Sequence, residues 1–155
     1  MQAEVSVQDL ALSLAQSVQD VLESMCFTMV DAPADPPEED PVPRIEVELH
    51  FCGARQGEFW LSFPRQTAEE VASAFSGTEC NDNEKIEDVL RELANIMCGA
   101  TLSRIAGDGV FDLDSPVATW IVEHRSVPRL PQPCRVDFQI GPEVVSAGIH
   151  FRAHA

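Results

Sequence analysis

Hydrophobic positions recur along this chain with two periods, and the period assigns each stretch to an element. In residues 7–25, Val7, Leu10, Ala11, Leu14, Ala15, Val18, Val21, Leu22 and Met25 return every three or four positions, the spacing of one helical face. Ser6 and Asp9 supply a capping-box-like start. Residues 44–52 switch to period two, with Ile45, Val47, Leu49 and Phe51 alternating against Arg44, Glu46, Glu48 and His50, which predicts a half-buried strand. After a turn at Gly53, the run GEFWLSFP, residues 57–64, predicts a second strand paired with the first as a hairpin. A helix then opens at the capping box Thr67–Glu70, turns Val71, Ala72 and Phe75 inward and ends at Ser76 and Gly77.

The longest element follows at 84–105. At about 100° per residue, Ile86, Val89, Leu90, Leu93, Ile96, Met97 and Ala100 fall in one arc about 120° wide, the expected buried stripe. Opposite it lie Glu84, Asp88, Arg91, Glu92 and Asn95, with Gly99 one turn beyond. Asn and Asp residues in the preceding loop are placed to cap this helix. Beyond it come a turn at 106–109, an extended piece at 110–116, a strand at 116–124 and a basic, proline-containing segment at 126–133. A strand at 135–141, a turn and a returning strand at 144–153 end the chain in a hairpin. No internal sequence repeat is evident, although a helix-plus-hairpin repeat is compatible with the order of elements. That order predicts an α+β fold with an antiparallel sheet covered by helices, and 155 residues suit a single domain over 1–155.

Composition narrows the chemistry. Residues 31–43, DAPADPPEEDPVP, hold five prolines and five acids, which neither continue a helix nor pair centrally in a sheet. The segment is read as a solvated connection, and a short Gly/Ser linker in its place is expected to leave the melting temperature within a few degrees. A net charge of −16 repels nucleic-acid phosphates and anionic membranes. It also disfavours capture of a free, highly charged anion, so phosphoryl chemistry would have to act on a group carried by a partner protein. No run approaches the roughly 20 apolar residues of a membrane span, and the N-terminus lacks the pattern of a secretory signal, so a cytoplasmic location is expected. Five cysteines without a C-x-x-C pair and four histidines without ligand spacing point to reduced thiols and no metal site. Nucleotide-loop and nucleophile-elbow motifs are missing. What remains is Glu92 and Asn95, three apart and therefore adjacent on the exposed helix face, a pairing that is common by chance.

The block from Gly57 to Ile105 gives that pair a context. GEFWLSFP, then TAEEVASAFSG, then the long helix carrying ELANIMCG resemble the CheX and CheC family of chemotaxis phosphatases. The family pattern is a strand ending in a phrase like L-x-F-P, a helix closed by glycine, and a helix bearing E-x-x-N followed by glycine. The resemblance implies a CheC/CheX-like fold and hydrolysis of the aspartyl phosphate of a CheY-like response-regulator receiver. Glu92 would pair with the receiver's lysine, and Asn95 would orient the attacking water. Asp88, Arg91 and Gly99 would line the contact with the partner. The receiver would bring Mg²⁺, so the chain would need no cofactor of its own. Members of the CheC and FliY type carry a second E-x-x-N in the first helix, but QDVLESMC at 19–26 offers none, so a single site is expected, as in CheX. Cys98, near Asn95, is expected to be a partly buried, inert thiol. The resemblance also implies a homodimer formed through a sheet edge, either the C-terminal hairpin or another strand. The alternative function is a non-catalytic binding or assembly module of the same fold, related to flagellar-switch components.

Overall fold

Alternation in residues 44–52 fixes the two faces of the sheet. Ile45, Val47, Leu49 and Phe51 are buried, while Glu48 and His50 are exposed. A computed structural model describes residues 5–124 and 134–152. Its elements are α1 (Val7–Met25), β1 (Arg44–Gly53), β2 (Gly57–Pro64), α2 (Arg65–Ser76), α3 (Asn83–Ile105), β3 (Phe111–Leu113), β4 (Val117–Ile121), β5 (Arg135–Ile140) and β6 (Glu143–Phe151). The strands form one antiparallel sheet in the order β3-β1-β2-β6-β5, and β4 pairs with β1 beside β3. The helices bury the sheet's apolar face, so the α+β architecture expected from the element order is the one adopted. In the register, Trp60 faces Gly148 across β2 and β6. A Cβ at Gly148 would collide with the indole ring, which is why that strand position is glycine.

A repeat invisible in the amino acids emerges from burial. In α1 the buried positions are Leu10, Leu14, Ser17, Val18, Val21 and Leu22. Each has a buried counterpart 76 positions later in α3, namely Ile86, Leu90, Leu93, Ala94, Met97 and Cys98. Around the β2–β6 seam, the hairpin β1–β2 matches the hairpin β6–β5. The helices are exchanged between the halves, with α3 over β1 and β2 and α1 over β5 and β6. No element order excluded this arrangement, but period and composition alone do not reveal it.

The acidic, proline-rich segment departs from the sequence reading. Most of its acids are exposed, as a solvated loop requires, but its first residues, 31–34, lie along the outer edge of β5. Asp31 and Gln139 exchange backbone hydrogen bonds at 3.1 and 2.8 Å, and the Ala34 N–H donates to the Asp137 carbonyl at 2.8 Å. Asp40 pairs with Arg135 at 3.3 Å, the Pro41 carbonyl accepts from Arg44, and the Pro43 carbonyl accepts from the Arg65 N–H. An open strand edge carries unpaired N–H and C=O groups, and the N–H groups that this segment retains between its prolines satisfy part of that edge. Arg44 is drawn into the arrangement. The sequence placed it on the polar face, but it is buried and paired with Glu46 at 2.8 Å.

Smaller differences have local causes. The second helix starts at Arg65 with Pro64 as its N-cap, and no side chain caps it. Thr67 is therefore not a cap but a buried residue of the first turn, because Pro64 already has the extended backbone of an N-cap and chain direction changes there. The Ser6 hydroxyl accepts from the Asp9 N–H at 3.0 Å, as expected. The strand expected at 116–124 is limited to β4, and the basic segment at 126–133 and the last expected strand residue lie outside the described residues. No helix among the described residues is long and apolar enough to cross a membrane.

Two predictions follow from this packing. A Gly/Ser linker replacing residues 31–43 removes four backbone hydrogen bonds, three of them to β5, of about 1 kcal/mol each, so the melting temperature should fall by about 8–16 °C; an unchanged value would refute the edge contact. The second concerns the thiols. Burial pushes Cys26 and Cys134 up to about 11 and Cys98 up to about 12, from an ordinary value of 9.0. Because the unfolded thiols ionise first, their contribution to stability is complete below pH 9 and is lost as pH rises from 9 towards 11–12. The chain has no tyrosine to titrate in that window. The urea midpoint should therefore fall on going from pH 9 to 11, and a thiol reagent at pH 8 should react rapidly with the exposed Cys52 alone.

Candidate functional site

The long helix is held at both ends, which fixes the direction of its exposed face. At the start, Asp82 Oδ1 accepts from the Glu84 N–H at 2.9 Å, and Glu84 stands in the first turn, where negative charge suits the helix dipole. At the end, Arg104 donates to Asp20 at 2.5 Å and to Gln16 at 3.3 Å on α1. Between these ends α3 packs on β1, β2, α1 and α2.

Burial on several sides turns the buried stripe relative to the sequence reading. Ile86, Leu90, Leu93 and Met97 are buried as expected, but Ala94, Cys98, Thr101 and Leu102 join them. Val89, Ile96 and Ala100 are only partly buried. The buried arc is displaced by about 80°, because a period analysis counts strongly apolar residues whereas the buried side also takes in the smaller Ala94, Cys98 and Thr101. Thr101 tolerates burial by donating its hydroxyl to the Met97 carbonyl at 2.7 Å. As a result, Val89 and Ile96 flank the candidate site instead of belonging wholly to the core.

On the open side, Asp88 and Glu92 are exposed, and Arg91, Asn95 and Gly99 are partly exposed. Spacings of three and four residues make Glu92, Asn95 and Gly99 consecutive neighbours on one face. Arg91 forms an ion pair with Asp88. Among the described residues, neither the Glu92 carboxylate nor the Asn95 carboxamide has a hydrogen bond or ion pair within the chain. A methyl group built on Gly99 meets nothing within 4 Å. All five residues named from the sequence thus share one face: an ion pair, an uncommitted carboxylate, an uncommitted carboxamide and a bare piece of backbone.

The matching face of α1 is different. By the burial register, Gln16 and Gln19 stand where α3 has Glu92 and Asn95. Gln16 accepts from Arg104, and Gln19 donates to the Val30 carbonyl and to Glu23, both at 3.3 Å. Both amides are therefore engaged inside the chain. Cys98 is fully buried rather than partly so, its thiol held far from ionisation by desolvation. Among the described residues no cluster of three or more His, Cys, Asp or Glu side chains is arranged to hold a metal ion.

Comparison with known proteins locates this arrangement. Residues 47–138 match the family model of the chemotaxis phosphatase CheX. No curated protein matches the chain in sequence. Among solved structures, the chain is similar to the chemotaxis protein CheX of Vibrio vulnificus, with 19% identity and a TM-score of 0.75, over 93% of this chain and 99% of that one. CheX of Desulfovibrio desulfuricans shares 16% identity with a TM-score of 0.72, over 93% and 99%. CheX in the CheX–CheY–BeF3–Mg²⁺ complex of Borrelia burgdorferi shares 19% identity with a TM-score of 0.69, over 97% and 100%. The family model takes in β2, α2 and the whole of α3 with its open face, and on that match the chain belongs to the CheX family of chemotaxis phosphatases.

Proposed function

We propose that this chain hydrolyses the aspartyl phosphate of a CheY-like response-regulator receiver, with α3 laid across the receiver's active site. The observation that carries this reading is that Glu92 and Asn95, adjacent on an open face, have no hydrogen bond or ion pair among the described residues. The complex formed by the Borrelia relative supports the class of partner. Its beryllofluoride stands in for the phosphoryl group on an aspartate, so that relative engages a receiver in its phosphorylated form.

Glu92 pairs with the receiver's active-site lysine and sets the register of the two proteins. The Asn95 carbonyl oxygen accepts from a water molecule and holds it in line with phosphorus. Attack by that water breaks the P–O bond to the aspartate, releases inorganic phosphate and regenerates the receiver's carboxylate. Phosphoryl transfer of this kind depends on positioning and charge neutralisation. A neutral carboxamide positions water without repelling the anionic group, whereas an aspartate at 95 would be repelled. Mg²⁺ is held by the receiver, so this chain contributes no metal ligand or cofactor. Asp88 and Arg91 meet the partner as a pair, since an exposed ion pair contributes only about 0.2–1 kcal/mol to stability. The reaction takes place in the cytoplasm.

Assembly belongs to the same proposal. The C-terminal hairpin is a poor edge for a second copy, because residues 31–34 already bond to β5. Among the described residues β4 has a strand on one side only, and Val117 and Val122 are exposed there. We assign the homodimer contact to this edge. Light scattering should give about twice 17.0 kDa, and a single 17.0 kDa species at micromolar concentration would rule the dimer out.

Phosphate release from a panel of phosphorylated receivers of the same cell tests the catalytic reading. One receiver should be hydrolysed much faster than the others. Asn95→Ala should lower turnover by about 10²- to 10³-fold with binding largely retained, and Glu92→Ala should weaken binding as well. Neither change should alter stability by more than about 0.5 kcal/mol. If both variants match the parent, or if no receiver responds to the parent, the catalytic reading fails and the non-catalytic module replaces it.

A further inference from the structure

Gly99 has no reason within the chain to be glycine. It lies inside α3 without a positive φ, unlike Gly53 and Gly141. It is not pressed by a neighbour as Gly148 is by Trp60; the space where its Cβ would stand is open. Glycine in a helix interior is nevertheless destabilising relative to alanine, since it loses more conformational freedom on folding. A position where a Cβ meets nothing within 4 Å, yet which carries the least favourable non-proline residue for a helix, points to a requirement outside the chain.

Side-chain direction shows what the missing atoms uncover. Helical side chains lean towards the N-terminus, so the surface that a residue covers lies over the turn before its own Cα. A side chain at 99 would spread over the turn that holds Asn95 and Ile96, both partly exposed. Asn95 is short, and its carboxamide reaches only a few ångströms beyond the backbone cylinder of the helix. The group it acts on must therefore come almost into contact with α3. Anything standing at 99 would lift that group away by its own height.

We propose that Gly99 is a clearance position: it lets the receiver's backbone rest on bare α3 backbone, so that the carboxamide of Asn95 reaches the water at phosphorus. This rests on the reading of Asn95 given above and deepens it, assigning Gly99 a positioning role and no catalytic contact. Displacement of a reacting group by about 1 Å can cost about 10²-fold in rate, and a methyl group adds at least that much height.

The test uses the full chain and a phosphorylated receiver that the parent hydrolyses, comparing Gly99→Ala and Gly99→Leu. Gly99→Ala should raise the melting temperature by about 2–4 °C, the gain expected from helix propensity, while kcat at saturating receiver falls by about 10- to 100-fold. Gly99→Leu should fall further. This opposition of sign is the signature, since a structural role would lower the melting temperature and the rate together. Parental kcat in both variants overturns the clearance role while leaving Asn95 catalysis intact. A rate loss accompanied by a lower melting temperature overturns it in favour of a packing role. A parent that hydrolyses no receiver defeats the underlying phosphatase reading first, and the clearance role falls with it.

Discussion

The burial of α3 is the constraint on which the rest of this molecule depends. A 23-residue helix that touched only the sheet would present more than half of its circumference to solvent and would tolerate rotation about its axis. Here β1, β2, α1 and α2 all pack on it, and the fully buried Ile86, Leu90, Leu93 and Met97 lock its azimuth, because interiors are close-packed and a turned helix would leave voids. The face left over is narrow and fixed in direction. If Glu92 and Asn95 act on a partner as proposed, the core behind them would give their placement its accuracy.

The same packing explains why the two halves of the fold diverge in use while matching in burial. Both helices bury the same register, yet the outward residues of α1 are consumed by the chain itself. Arg104 reaches from α3 to Gln16 and Asp20, and Gln19 closes on Val30 and Glu23. The interactions that tie α1 to the body therefore use the positions that α3 keeps open. Charge follows a similar division. Several of the few basic side chains are already paired, Arg44 with Glu46, Arg65 with Glu69, Arg135 with Asp40 and Asp137, and Arg152 with Glu58. Glu92 is instead without an ion pair among the described residues.

The parts of the fold readable from sequence were those set by local period. Alternation from Ile45 to Phe51 placed β1 and its faces, and the Ser6 and Asp82 side chains marked two helix starts that their hydrogen bonds bear out. Reading was poorest where a long-range partner decides. Prolines and acids in 31–43 described a chain that forms no helix or central strand, but not that β5 would offer it an edge. Thr67 carried the residue type of a cap, yet the Pro64 backbone had already begun the helix. At the site, spacing put Asp88, Glu92, Asn95 and Gly99 on one open face, as the structure does. It assigned Val89 and Ile96 to the core because apolar character is local information, whereas the packing that buries Ala94 and Cys98 instead is not.

Separating the site from the core also separates the selection acting on each. Cys98 is a neighbour of Asn95 in sequence but points inward, fully buried, so its substitution would disturb packing and leave the open face chemically unchanged. Among the described residues Asn95 and Glu92 have no hydrogen bond or ion pair, so their replacement should leave the fold intact. On the proposed reading, a reaction whose metal, lysine and phosphorylated aspartate all come from the partner would require little of this protein beyond a rigid backbone and two side chains at the right height. The chain is 15–19% identical to solved structures of one fold. What such divergence must preserve is the azimuth of α3, because every contribution this chain would make to the partner's chemistry is measured from that axis.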